Sequence, residues 1–184
     1  DEIAPGLTVH HIGGHTDAAA RLIARSGIES ATMRGVAAEA GLTTGALTHY
    51  FADKHELLLT TFQASLSRRR SQRPPEESAD PFDLLLASIE GALPLDDDRR
   101  RHWMVTIALC SQAAGDPELA AAQREAYAEF CGRVAELVVR CGLAPTDDEV
   151  GADAMAATLI AAADGIAVQA LFDDTRWPPE RQRE

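Results

Sequence analysis

Gly41 constrains this chain more than any other residue. It separates two short helical patterns, 32–40 and 43–51, and supplies the left-handed backbone that joins consecutive helices at a sharp angle. Ala37, four residues earlier, is small where the second helix must cross the first. Leu47, six residues later, is apolar where the second helix needs an anchor. Thr32 and Thr43 stand at the two N-cap positions, and Val36, Leu42 and Phe51 complete an expected small core. Together these conditions predict a helix-turn-helix spanning 32–51, a unit that lays its second helix in the DNA major groove. A merely structural αα-hairpin has no need of all of them.

The outward face of that second helix carries short or planar side chains: Thr43, Thr44, Gly45, Ala46, Thr48, His49 and Tyr50. Such a helix can lie close to base edges, where threonine can hydrogen-bond a base or touch the thymine methyl. Thr32, Tyr50 and Lys54, the chain's one lysine, are placed for phosphates. His49 suits either a DNA contact or a structural role.

The rest of the sequence reads as helices with marked ends. Residues 1–15 contain Pro5 and the Gly13-Gly14 pair, so loose structure is expected before a short helix over 18–25 that turns Ala19, Leu22 and Ile23 inward and stops at Gly27. Asp53 and Glu56 form a capping box for a long fourth helix with Leu57, Leu58, Phe62 and Leu66 as its apolar stripe, ending at Arg68-Arg69-Arg70 and SQRPPEES. Asp80-Pro81 restarts the chain, with Phe82, Leu85, Leu86, Ile89 and Leu93 at helical spacing up to Pro94. Further helices are expected over 98–114, from Asp116-Pro117 to Cys141, and from 147 to 172 behind a Thr146/Glu149 box, with Trp177-Pro178-Pro179 as the stop. No stretch alternates with period two, so the expected fold is all-α.

Composition sets the outer limits. An apolar share of 46% supports a globular core, and the length allows a small head, 1–53, with a larger body, 54–184. A net charge of −12 argues against wholesale coating of nucleic acid but leaves room for a local reader. Charged residues are expected to interrupt every apolar run before it could span a bilayer. No secretory signal is visible, and the first residue, Asp1, suggests that the native start lies upstream. Cys110, Cys131 and Cys141 form no metal-binding spacing and are expected to be reduced, mostly buried thiols in the cytoplasm. His10, His11 and His15 are expected to be exposed and incidental. Arginine supplies every basic residue but Lys54, the usage of a GC-rich bacterial genome.

The stretch TMRGVAAEAGLTTGALTHYFADKHELL, residues 32–58, resembles the DNA-binding signature of TetR-family transcriptional regulators, and the resemblance extends over about 16–62. GDPELAAAQREAYAEF, the ADG around Asp164 and the WPPERQ ending are similar to the BetI-type branch. The resemblance implies a homodimeric, ligand-responsive repressor with a three-helix DNA-binding head and a ligand-binding body. It points to Thr32, Thr43, Thr44, Gly45, Thr48, His49, Tyr50 and Lys54 as DNA contacts. The segment DEIAPGLTVHHIGGHTDAA departs from the family, which begins with a basic arm and a longer first helix.

In the body, Ala154, Ala157, Ala161, Gly165 and Val168 would allow close approach of two copies about a two-fold axis, with Leu159, Ile166 and Leu171 adding apolar area. Two half-sites, and therefore a palindromic double-stranded operator, would match that symmetry. Trp103, Met104, Ile107, Cys110, Tyr127 and Phe130 could line a cavity for a small-molecule effector, or simply fill the core. An aromatic group beside an acid would suit a cationic ligand. No catalytic constellation, cofactor motif or metal motif is present, so no enzyme is expected. The rival reading is a helical ligand-binding or adaptor protein that has lost DNA binding.

Overall fold

The computed structural model describes residues 5–71, 80–144 and 149–184. Among them every regular element is helical: α1 (Pro5–Ser26), a 3-10 turn (Ile28–Ser30), α2 (Met33–Glu39), α3 (Thr44–Leu47), α4 (Lys54–Ser71), α5 (Pro81–Glu90), α6 (Asp97–Ala113), α7 (Pro117–Arg140), α8 (Glu149–Phe172) and α9 (Pro179–Gln182). The all-α expectation holds. The chain forms two compact units: Asp1–Arg68 with Met104–Ala120, and Arg69–Trp103 with Ala121–Glu184.

In the first unit α1 packs on the 3-10 turn and on α2, and α2 packs on α3. The buried residues include Ala18, Ala19, Ile23, Val36, Ala37, Leu47 and Phe51. The expected loose start is not seen, because α1 begins at Pro5 and runs straight through Gly13-Gly14. Each glycine weakens a helix by about 1 kcal/mol. A Cβ at either position would meet nothing within 4 Å, so neither glycine marks a close approach or a break. Burial of His15, Thr16, Ala18, Ala19 and Ile23 along one side outweighs that loss. His15 therefore corrects a second expectation, since it is buried rather than exposed. The side chains of His10 and His11 lie outside those described. Gly27, with φ 77°, ends the helix, and its N–H reaches Ile23 O at 2.8 Å.

α4 starts as its sequence predicts. Asp53 Oδ1 accepts from Glu56 N–H at 2.9 Å, and the Glu56 carboxylate accepts from Ala52 N–H at 2.6 Å. Leu57, Leu58 and Phe62 are buried, and α4 continues through the arginine run to Ser71. Most of SQRPPEES lies outside the described residues.

His55, in the first turn of α4, meets the start of α7. Its Nδ1 lies 2.8 Å from Asp116 Oδ2 and its Nε2 3.0 Å from Glu118 Oε2. Two acceptors on two ring nitrogens favour the doubly protonated imidazolium. The hydrogen bond to Glu118, and then the charges of Asp116, Glu118 and Asp53, raise the His55 pKa above 6.5. A raised folded-state pKa stabilises fully below the unfolded value and loses that contribution as pH rises through the folded value. Wild-type melting temperature should therefore fall relative to His55→Gln as pH climbs from about 6 to 9. Parallel melting curves across that range would show the clamp contributes nothing.

In the second unit Asp80 Oδ1 accepts from Phe82 N–H at 2.8 Å and Pro81 occupies the first turn of α5. Leu84 and Leu85 of α5 pack with Val134, Leu137 and Val138 of α7 and with Ala152, Ala156 and Ile160 of α8. Phe82 and Leu86, expected in the apolar stripe, are exposed, at 57% and 45%. Apolar residues surround α5, so periodicity alone does not select the side that faces in. Trp103 Nε1–H donates to Ala92 O at 2.7 Å. Arg100 donates to Ala170 O at 3.0 Å and Leu171 O at 2.6 Å, satisfying carbonyls at the end of α8.

α8 overturns the expectation that charged residues keep every apolar run too short to span a bilayer. Val150–Phe172 has a mean hydropathy of 1.7 and is long and apolar enough to cross a membrane by length and composition, with 33% of the window buried. Asp153 and Asp164 are its only charged residues, and its alanines alternate between packed and open sides. Thr146, half of the expected capping box, lies outside the described residues. Pro178-Pro179 begins the short α9 rather than simply ending α8. The thiols are also more open than expected: Cys110 is exposed, and Cys131 and Cys141 are half-buried at the border of the core cluster they pack against.

Candidate nucleic-acid interface

The site is built from short-range capping. Thr32 Oγ1 accepts from Gly35 N–H at 3.0 Å and opens α2. At the far end Leu42 N–H reaches Ala37 O at 2.8 Å and Gly41 N–H reaches Ala38 O at 3.2 Å, with Gly41 at φ 71°. That pair of bonds is a Schellman motif, and it explains both the glycine and Leu42. Leu42 is the residue just beyond the left-handed position, so it stands 37% exposed instead of joining the core, a correction to its expected role. Thr43 Oγ1 then accepts from Ala46 N–H at 3.1 Å and opens α3.

Regular α-helix in α3 covers only Thr44–Leu47, shorter than the expected run to Phe51. The winding continues as tighter turns: His49 N–H reaches Ala46 O at 3.3 Å and Tyr50 N–H reaches Leu47 O at 3.0 Å. Leu47 is fully buried below, as are Val36 and Ala37 of α2, the helix on which α3 packs. Thr44, Gly45, Thr48 and His49 stand on the opposite side and are exposed, as are Thr32 and Thr43. Thr48 Oγ1–H donates to Gly45 O at 2.9 Å, which leaves its oxygen open as an acceptor. Tyr50 and Lys54 are half-buried. Lys54 Nζ is 3.9 Å from the outlying carboxylate of Glu29, a loose surface pair that a phosphate could replace.

All eight proposed contact residues thus lie in one unit, and six of them on open surface. Two further residues escape sequence reasoning. Gly35 has an ordinary helical setting, yet a Cβ there would lie 2.7 Å from Ser30 O and 3.1 Å from Thr32 Oγ1. Arg34, exposed in the first turn of α2, adds a basic group beside Thr32. Its proximity to the Thr32 cap was the available signal. Arg21 and Arg25 are instead bound to Glu39, at 3.3 and 2.8 Å.

The six effector-site candidates are shared between the two units. Trp103, Tyr127 and Phe130 belong to the second unit, and Met104, Ile107 and Cys110 to the first. Trp103 is buried, and Phe130 packs against both apolar clusters of its unit. Tyr127 O–H donates to Asp164 Oδ2 at 2.6 Å. The five candidates for pairing, Ala154, Ala157, Ala161, Gly165 and Val168, are all exposed along α8.

A capped helix-turn-helix joined to a helical body defines a DNA-binding transcriptional regulator. Residues 16–61 match the bacterial regulatory proteins of the tetR family, and residues 81–184 match the C-terminal region of the BetI-type transcriptional repressors. The chain belongs to the TetR family, in its BetI-type branch, and is a transcriptional repressor with a C-terminal ligand-binding domain. It is 28% identical over 136 residues to the HTH-type transcriptional regulator BetI of Paraburkholderia xenovorans (strain LB400), covering 67% of each chain. A transcriptional regulator from Rhodococcus sp. Rha1 superposes with a TM-score of 0.82 at 28% identity, over 94% of this chain and 89% of that one. The fold is shared with a transcriptional regulator from Saccharomonospora viridis solved in complex with choline, with a TM-score of 0.81 at 22% identity over 95% and 92% of the two chains.

Proposed function

We propose that this repressor acts in the bacterial cytoplasm as a homodimer that grips a palindromic double-stranded operator with α3 of each copy, and that it catalyses no reaction. Residues 1–53 form the reading head and 54–184 the effector-binding and pairing body. A small molecule in the body favours one spacing of the two heads, and its difference in affinity between spacings sets its effect on the operator. The observation that carries the reading is the open threonine surface of α3, held by the Thr43 cap above buried Leu47.

Within that surface Thr44, Gly45, Thr48 and His49 meet base edges, while Thr32, Thr43, Tyr50 and Lys54, joined by Arg34, meet phosphates. In the body, the Tyr127 phenol beside Asp164 combines an aromatic ring with a carboxylate, a pairing that suits an organic cation. Choline in the Saccharomonospora neighbour is such a cation.

Selection from random duplexes should enrich a palindrome. On that site Thr48→Ala should relax base preference by about 1–3 kcal/mol, whereas Tyr50→Ala and Lys54→Ala should weaken binding evenly across sequences. Lys54→Ala should also lower the salt slope by about one counterion. Equal losses for all three variants on every site would contradict this division of contacts. Flat recovery even at low salt would favour a ligand-binding protein without DNA specificity.

A further inference from the structure

The first helix places a polar ring beneath the exit of α3. His15 is 6% exposed. Its ring centroid lies 4.8 Å from that of Tyr50 with the planes tilted by 57°, and 6.4 Å from Phe51 edge-on at 79°. Tyr50 comes after regular α-helix has ended, and its own N–H makes an i to i−3 hydrogen bond, to Leu47 O at 3.0 Å. The direction of its phenol is therefore set less by a long helix than by what the ring rests upon. Leucine or isoleucine could fill the space under Tyr50 with no polar group to desolvate. The imidazole adds a flat face, and flat rings settle at defined offsets and tilts.

We propose that His15 is a positioning residue for DNA binding: its ring holds the Tyr50 phenol in the orientation that meets a backbone phosphate. The proposal rests on the reading of Tyr50 as a phosphate contact. A phenol already held in one rotamer loses less freedom when DNA arrives, so the contact yields more net affinity.

The test measures the full chain binding a mixed-sequence DNA duplex at low salt, where a phosphate contact acts regardless of sequence. His15→Leu should weaken binding by between about threefold and tenfold, the range that ring packing supports. His15→Phe, which restores a flat ring, should bind within about twofold of wild type. In a Tyr50→Ala background His15→Leu should add nothing, because the group it orients is gone. The aromatic proton resonances of Tyr50 should shift in His15→Leu, reporting loss of a ring neighbour. His15→Asn, polar but ring-free, should behave like His15→Leu and serves in its place if the leucine variant does not fold. Equal losses in the wild-type and Tyr50→Ala backgrounds, or a His15→Phe protein as weak as His15→Leu, would overturn the proposal. Wild-type affinity in His15→Leu beside weak binding in Tyr50→Ala would overturn it alone. Wild-type affinity in Tyr50→Ala would remove the phosphate reading and this proposal with it.

Discussion

Replacing Ala161 with arginine should leave a monomer that no longer holds an operator. Ala161 lies midway along a stripe of Ala154, Ala157, Gly165 and Val168, all of them exposed on α8. Their spacing of three or four residues puts them on one side of the helix, and their small size lets a second backbone come close. The same helix ends in Phe172, 80% exposed, and carries Val150, equally open, in its first turn. An apolar surface of that extent needs a cover in water. A second copy is the occupant that the proposed palindromic operator calls for. An arginine at the centre would bury a charge opposite its own image, which two copies cannot neutralise. Sedimentation should show the change in mass. Operator affinity should drop by about 10²–10⁴-fold, the gain that joining two reading heads provides. An Ala161→Arg protein that remains dimeric would move the interface off this face.

Leu47→Ala should be the most damaging single truncation within α3. The side chain is fully buried beneath a helix of only four regular residues, so α3 has little else to hold it. Comparable core truncations cost about 2–5 kcal/mol, a large share of the total stability of a domain. Thermal denaturation should show that loss directly, together with failure to bind DNA. Thr44→Ala, one turn earlier and exposed, should stay within about 0.5 kcal/mol of wild type. Similar melting temperatures for the two variants would show that α3 is anchored elsewhere.

The sequence discloses most where the determinants are local. Thr32, Gly41 and Thr43 act on backbone groups three to five residues away, so their spacing in the chain is nearly their geometry in space. The starts of α4, α5 and α7 are legible for the same reason. Elements decided by distant partners are less so. Gly13-Gly14 look like a break because the burial that keeps α1 helical involves residues far along the chain, among them Tyr50 and Phe51. Phe82 and Leu86 satisfy helical periodicity, yet which side of α5 meets the core depends on α7 and α8. Gly35 needs knowledge that Ser30 O lies 2.7 Å from its missing Cβ. The candidate effector residues in the body are the least legible, because aromatic and sulfur side chains serve core and cavity alike: Trp103 and Phe130 pack, whereas Tyr127 is part-exposed and hydrogen-bonded to Asp164.

The outward residues of α3 contribute almost nothing to the stability of what lies beneath them. Leu47 and the Thr43 cap hold the scaffold, while Thr44 and His49 project from it without sharing in the core. If those side chains read the operator as proposed, specificity and foldedness are separate properties of neighbouring positions. A lineage could rewrite its preferred operator by exchanging those side chains, one at a time, without passing through a misfolded intermediate.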